Sequence, residues 1–82
     1  MQDLKVLRQK IDKIDKQLLA LLRARMAISK QIGKAKKIKK LPITNKKREK
    51  IVLSKLKTPS EKAIFKKIIS ESKKVQKSLM RK

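Results

Sequence analysis

The sequence predicts an all-α fold, a three-helix chain with one long N-terminal helix, and two observations carry that prediction. From Leu4 to Lys36 the apolar residues Leu4, Leu7, Ile11, Ile14, Leu18, Leu21, Ile28, Ile32 and Ala35 keep to threes and fours along the chain, which is the period of one amphipathic helix. The two prolines, Pro42 and Pro59, then fall where they divide that helix from two shorter ones.

The first helix is expected from about Asp3 to about Lys40, interrupted by nothing stronger than Gly33. At 1.5 Å per residue it would be about 55 Å long, whereas a compact globule of this chain length is only about 30 Å across. Its own chain cannot cover it, so a second copy lying alongside, a homodimer, is the expected remedy. Leu41-Pro42 ends the helix, because a residue before proline avoids the helical conformation. Thr44 or Asn45 can cap a second helix, expected over 46–57, that has Ile51, Val52, Leu53 and Leu56 to bury. Thr58-Pro59-Ser60-Glu61 reads as a capping box that opens a third helix over 59–80. That helix carries Ile64, Phe65, Ile68, Ile69, Val75 and Leu79 and is expected to fray into Met80-Arg81-Lys82. With no glycine-rich loop, repeat or low-complexity linker between the parts, residues 1–82 read as a single domain.

Composition narrows the chemistry. Eighty-two residues with one Phe and neither Trp nor Tyr make a thin core, which again favours association. The absence of Cys and His excludes a disulfide, a thiolate nucleophile, an imidazole base and an ordinary zinc or haem site; no metal and no cofactor are expected. MQDLKVLRQK lacks the apolar run of a signal peptide and no segment is long enough to span a bilayer, so a cytoplasmic protein without a membrane partner is expected. Lys and Arg number 27 against 6 Asp and Glu, a formal charge of +21, and such a field attracts polyanions and small anions alike. The lysines are spread through every segment, which suits a solvated surface better than one nucleic-acid-binding face. The five arginines are more informative, since a guanidinium fork matches a carboxylate.

Arg25 occupies a position that belongs to the apolar stripe, where a cation is costly unless something anionic meets it. At 100° per residue Arg25, Ser29, Ile32 and Lys36 share one face, with Ser29 and Ile32 as wall between two cations about 16 Å apart along the axis. Arg8 is about 25 Å from Arg25 along the same helix, so if it serves a site it serves that of a partner copy. Asn45, Arg48, Glu49 and Val52 share a face of the second helix, and Ser72 and Gln76 lie in line with Phe65 and Ile69 on the third. Several cations, one carboxylate, one amide and one hydroxyl, with no nucleophile, fit binding of a small polyanion or a reaction that needs only electrostatics and orientation.

LRQKIDKIDKQLLALLRARMAISKQIGKAK, then LPITNKKRE, then FKKIISESKKVQ resembles the all-helical chorismate mutases, the AroQ class, over nearly the whole chain and in register. The resemblance implies an interlocked helical-bundle homodimer with two equivalent active sites, and rearrangement of chorismate to prephenate on the way to phenylalanine and tyrosine. Carried over by position, Arg25 and the partner copy's Arg8 would bind the two carboxylates with help from Ser72. Lys36 and Gln76 would donate to the ether oxygen, and Glu49 would accept from the ring hydroxyl. Arg48 would orient Glu49, and Asn45 would contact the hydroxyl region. Asn45 departs from the aspartate often found there, and the connection between the second and third helices is shorter than in bacterial enzymes of the class. The alternatives are an isochorismate-pyruvate lyase of the same fold, a branch that lacks the glutamate matched by Glu49, and a basic helical nucleic-acid-binding module. These residues contain no allosteric domain, so regulation is expected to come from a regulatory or pathway-enzyme partner.

Overall fold

The computed structural model describes residues 3–80 as three helices, α1 (Leu4–Lys39), α2 (Lys46–Ser54) and α3 (Pro59–Met80). The fraying expected at the C-terminus falls partly on Arg81 and Lys82, outside the described residues. Asp3 caps α1, its carboxylate accepting from the Lys5 amide at 3.4 Å. The helix runs unbroken through Gly33 for 36 residues.

Its end is set before Pro42 is reached. Lys40 is left-handed (φ 56°, ψ 41°), its amide bonds the Lys37 carbonyl at 3.3 Å, and the Leu41 amide bonds the Lys36 carbonyl at 2.8 Å. These are the two bonds of a Schellman cap, formed here around a lysine where glycine is usual. Lys36, Lys37 and Lys39 in the last turn complement the negative end of the helix dipole.

Asn45 caps α2, its side-chain oxygen accepting from the Arg48 amide at 3.0 Å. The helix stops at Ser54, three residues short of the span predicted to Lys57. The reason lies in the next helix. Glu61 at the third position of α3 accepts from the amides of Lys57 (2.9 Å) and Thr58 (3.3 Å), while the Thr58 hydroxyl accepts from the Glu61 amide at 3.1 Å. The box therefore claims the amides that would have prolonged α2, and Pro59 disfavours a helical Thr58.

Contacts between α1 and α3 advance in the same sense along both helices, from Arg25 with Ser72 to Lys36 with Gln76 and Lys37 with Leu79. Helix α3 thus runs beside the C-terminal half of α1 in the same direction, and residues 40–58 bring the chain back. Gly33 makes the approach close: a Cβ there would lie 3.2 Å from the Gln76 Cα. Among the described residues α2 approaches α3 but not α1.

What is buried is unusual. Among the described residues Ile69 is the one buried apolar side chain, whereas Ser29, Ser72 and Gln76 are 4–7% exposed. The N-terminal half of α1 extends past the other helices, and Leu4, Leu7, Ile11, Ile14, Leu18 and Leu21 are 40–71% exposed. The molecule measures 56 × 25 × 14 Å with a radius of gyration of 16.3 Å, against about 12 Å for a compact domain of this length. Its accessible surface is 7301 Å², against about 5,000 Å² for a compact monomer of this mass.

Candidate active site

The buried polar residues face a half-open cavity of about 410 Å³ lined by all three helices. Helix α1 supplies Arg25, Ser29, Ile32 and Lys36, the face predicted from helical spacing, together with Ile28. Helix α2 and its cap supply Asn45, Arg48, Glu49 and Val52, and α3 supplies Ile69, Ser72, Lys73 and Gln76. Four cations, Arg25, Lys36, Arg48 and Lys73, thus surround one carboxylate, and the site suits a small ligand of more than one negative charge.

At one end the Arg25 guanidinium donates to the Ser72 hydroxyl, which lies 3.9 Å from the Met26 sulfur. One of five guanidinium protons is thereby used and the rest of the fork is available to a carboxylate. At the other end the Lys36 ammonium donates to the Ile43 carbonyl at 2.7 Å and to Gln76 Oε1 at 3.1 Å. Lysine can only donate, so the Gln76 carbonyl must face it and the amide NH2 is turned away, leaving that group and the third ammonium proton as donors. No buried side-chain nitrogen or oxygen among the described residues lacks a partner, so the Gln76 nitrogen, which has no protein acceptor, is within reach of a ligand or solvent.

On the α2 side Glu49 pairs with Lys73 at 3.1 Å, both side chains a little over one quarter exposed. This corrects the expectation that Arg48 orients Glu49. Consecutive helical residues point 100° apart and do not face each other, whereas Lys73 reaches across from α3. Asn45 is also held in place, since its oxygen accepts from the Arg48 amide as the cap of α2.

Of the sequence-predicted site residues, Arg25, Ser29, Ile32, Lys36, Asn45, Arg48, Glu49, Ser72 and Gln76 all line the cavity. Arg8 does not; it lies on the exposed N-terminal half of α1. Sequence reasoning missed Lys73 and the Ile43 carbonyl. Lys73 was findable, since it stands four residues after Ile69 and three before Gln76 on the same face of α3. The Ile43 carbonyl is a backbone group in a loop and leaves no signal in residue type.

These features define an all-α protein with a cationic cavity whose lining includes neither cysteine nor histidine. The sequence profile of chorismate mutase type II matches residues 7–77, and the chain belongs to that family of enzymes. It is 41% identical over 56 residues, 68% of its length, to a bifunctional chorismate mutase/prephenate dehydratase from Aquifex aeolicus (strain VF5). It spans only 16% of that relative's length. It is 48% identical to the solved structure of a conserved hypothetical protein from Pyrococcus furiosus, with a TM-score of 0.83 over 89% of this chain and 93% of the other. Among the described residues no helix is long and apolar enough to cross a membrane.

Proposed function

We propose that the cavity binds chorismate and catalyses its [3,3]-sigmatropic rearrangement to prephenate, a step towards phenylalanine and tyrosine. The observation that carries the reading is the Lys36–Gln76 pair, two donors held side by side in a cationic cavity of a chain belonging to the chorismate mutase type II family.

The reaction breaks a C–O bond as a C–C bond forms and needs neither a covalent intermediate nor a proton transfer. The site must therefore hold the substrate in a compact, chair-like conformer and stabilise the negative charge that grows on the ether oxygen. Arg25, steadied by Ser72, binds one carboxylate. Lys36 and the Gln76 NH2 donate to the ether oxygen, where their interaction strengthens as the C–O bond breaks. Glu49 accepts from the ring hydroxyl and Arg48 adds positive potential. Ser29 and Ile32 form the wall that keeps the conformer folded.

The remaining carboxylate requires Arg8 of a second copy. The chain's surface exceeds that of a compact monomer by roughly 2,300 Å², and an exposed apolar stripe runs along the N-terminal half of α1. A second chain laid on this stripe would bury it and bring its own Arg8 to the cavity. The working unit is thus a homodimer with two shared sites.

Mixing tests the reading. Arg8→Ala and Arg25→Ala chains, each inactive alone, are refolded together in equal amounts from denaturant. Random pairing makes half the dimers mixed, each with one intact site, and about a quarter of the wild-type rate of chorismate loss should return. Mixed dimers without activity would overturn the shared site.

A further inference from the structure

Helix α2 and the loop before it offer the cavity three acceptors, of which one is anionic. The Asn45 oxygen accepts from the Arg48 amide at the cap and the Ile43 carbonyl from Lys36. Glu49 Oε2 is taken by Lys73. Glu49 Oε1 accepts nothing from the described residues. Lys73 comes from α3 and Glu49 from α2, a helix of nine residues with none buried, and this pair is the ion pair that joins the two helices among the described residues. A glutamate left to itself has three rotatable bonds and many cations within reach, so nothing else would fix which oxygen it presents.

We propose that Lys73 is a positioning residue: by holding Glu49 Oε2 it points Oε1 into the cavity as the acceptor for a ligand hydroxyl, so that the pair makes the site prefer hydroxyl-bearing dianions. The inference rests on the mutase reading above and extends it, since Lys73 acts through Glu49 and on selectivity rather than on the breaking bond. The contact to a ground-state hydroxyl persists in the transition state, so its loss raises KM more than it lowers kcat.

The test compares two bicyclic ether dicarboxylates, identical except that one lacks the ring hydroxyl, by calorimetry on the wild type, Lys73→Met, Lys73→Arg and Glu49→Gln. The wild type should bind the hydroxylated compound about tenfold or more tightly than its deoxy partner. Lys73→Met and Glu49→Gln should each bring that ratio to within about threefold, whatever the altered site charge does to both dianions alike, and Lys73→Arg should restore it. The double variant should lose no more than either single one. If Lys73→Met keeps the tenfold preference, the positioning role is overturned, however far it weakens both compounds alike. A wild type that binds both compounds without preference sinks the Lys73 proposal and spares the mutase reading; one that binds neither sinks both.

Discussion

Replacing Gly33 by alanine should leave the protein folded and impair catalysis, and the effect can be worked from the contact between α1 and α3. An added Cβ would stand 3.1 Å from Leu79 Cδ1, 3.2 Å from Gln76 Cα and 3.3 Å from Gln76 Cγ. Carbon atoms sit comfortably at about 3.5–4.0 Å. The Leu79 methyl can rotate aside, but the Gln76 Cα is backbone, so α3 must withdraw by about 0.3–0.5 Å. The gain in helix propensity, about 1 kcal/mol, opposes an overpacking cost of about 1–3 kcal/mol, and the net destabilisation should stay below about 2 kcal/mol. Gln76 carries the displacement into the site, where its carbonyl is 3.1 Å from Lys36. Since a misplacement of about 1 Å can cost about a hundredfold, a shift of a third to half of that should lower kcat about five- to tenfold. Urea unfolding and steady-state turnover of chorismate on the same preparation separate the two effects. Unchanged kcat in a variant of unchanged stability would show that this approach does not set the position of Gln76.

Three further outcomes are expected. Lys36→Met should lower kcat by about 10²–10³ with helicity retained, since it removes a donor aimed at charge made in the transition state; near-normal turnover would break the assignment. Lys40→Gly should relieve the left-handed cap (φ 56°) by about 1 kcal/mol, raising the thermal midpoint by about 4–8 °C, and a midpoint no higher than the wild type's would contradict the strain. Ile14→Glu, in the middle of the exposed stripe, should abolish association in sedimentation and activity with it; a dimer as stable as the wild type's would place the interface elsewhere.

Helical periodicity alone brought most of the site together. Arg25, Ser29, Ile32 and Lys36 share a face because of 100° spacing, and that face lines the cavity. The position of Arg25 in an apolar stripe marked it out for the same reason. Periodicity says nothing about which helix lies opposite, so the pairing of Glu49 with Lys73 rather than with its sequence neighbour Arg48 was not legible. Leu56 continues the apolar pattern past the end of α2, while the deciding bonds belong to Glu61. Pro42 predicts the end of α1, but the Schellman bonds at Lys40 and Leu41 close it first. For Glu49 and for the end of α2 the deciding partner lies in another helix, which local pattern does not encode, whereas at Lys40 it lies in the last turn of α1 and depends on a left-handed lysine that residue type does not signal.

The most direct measurement is incubation of the purified protein with chorismate, following substrate loss by ultraviolet absorbance and identifying the product by NMR, with Arg25→Ala as the control. Prephenate formed by the wild type and not by the folded variant is the predicted result. No prephenate from a folded wild-type dimer, or equal turnover by the variant, would contradict the account.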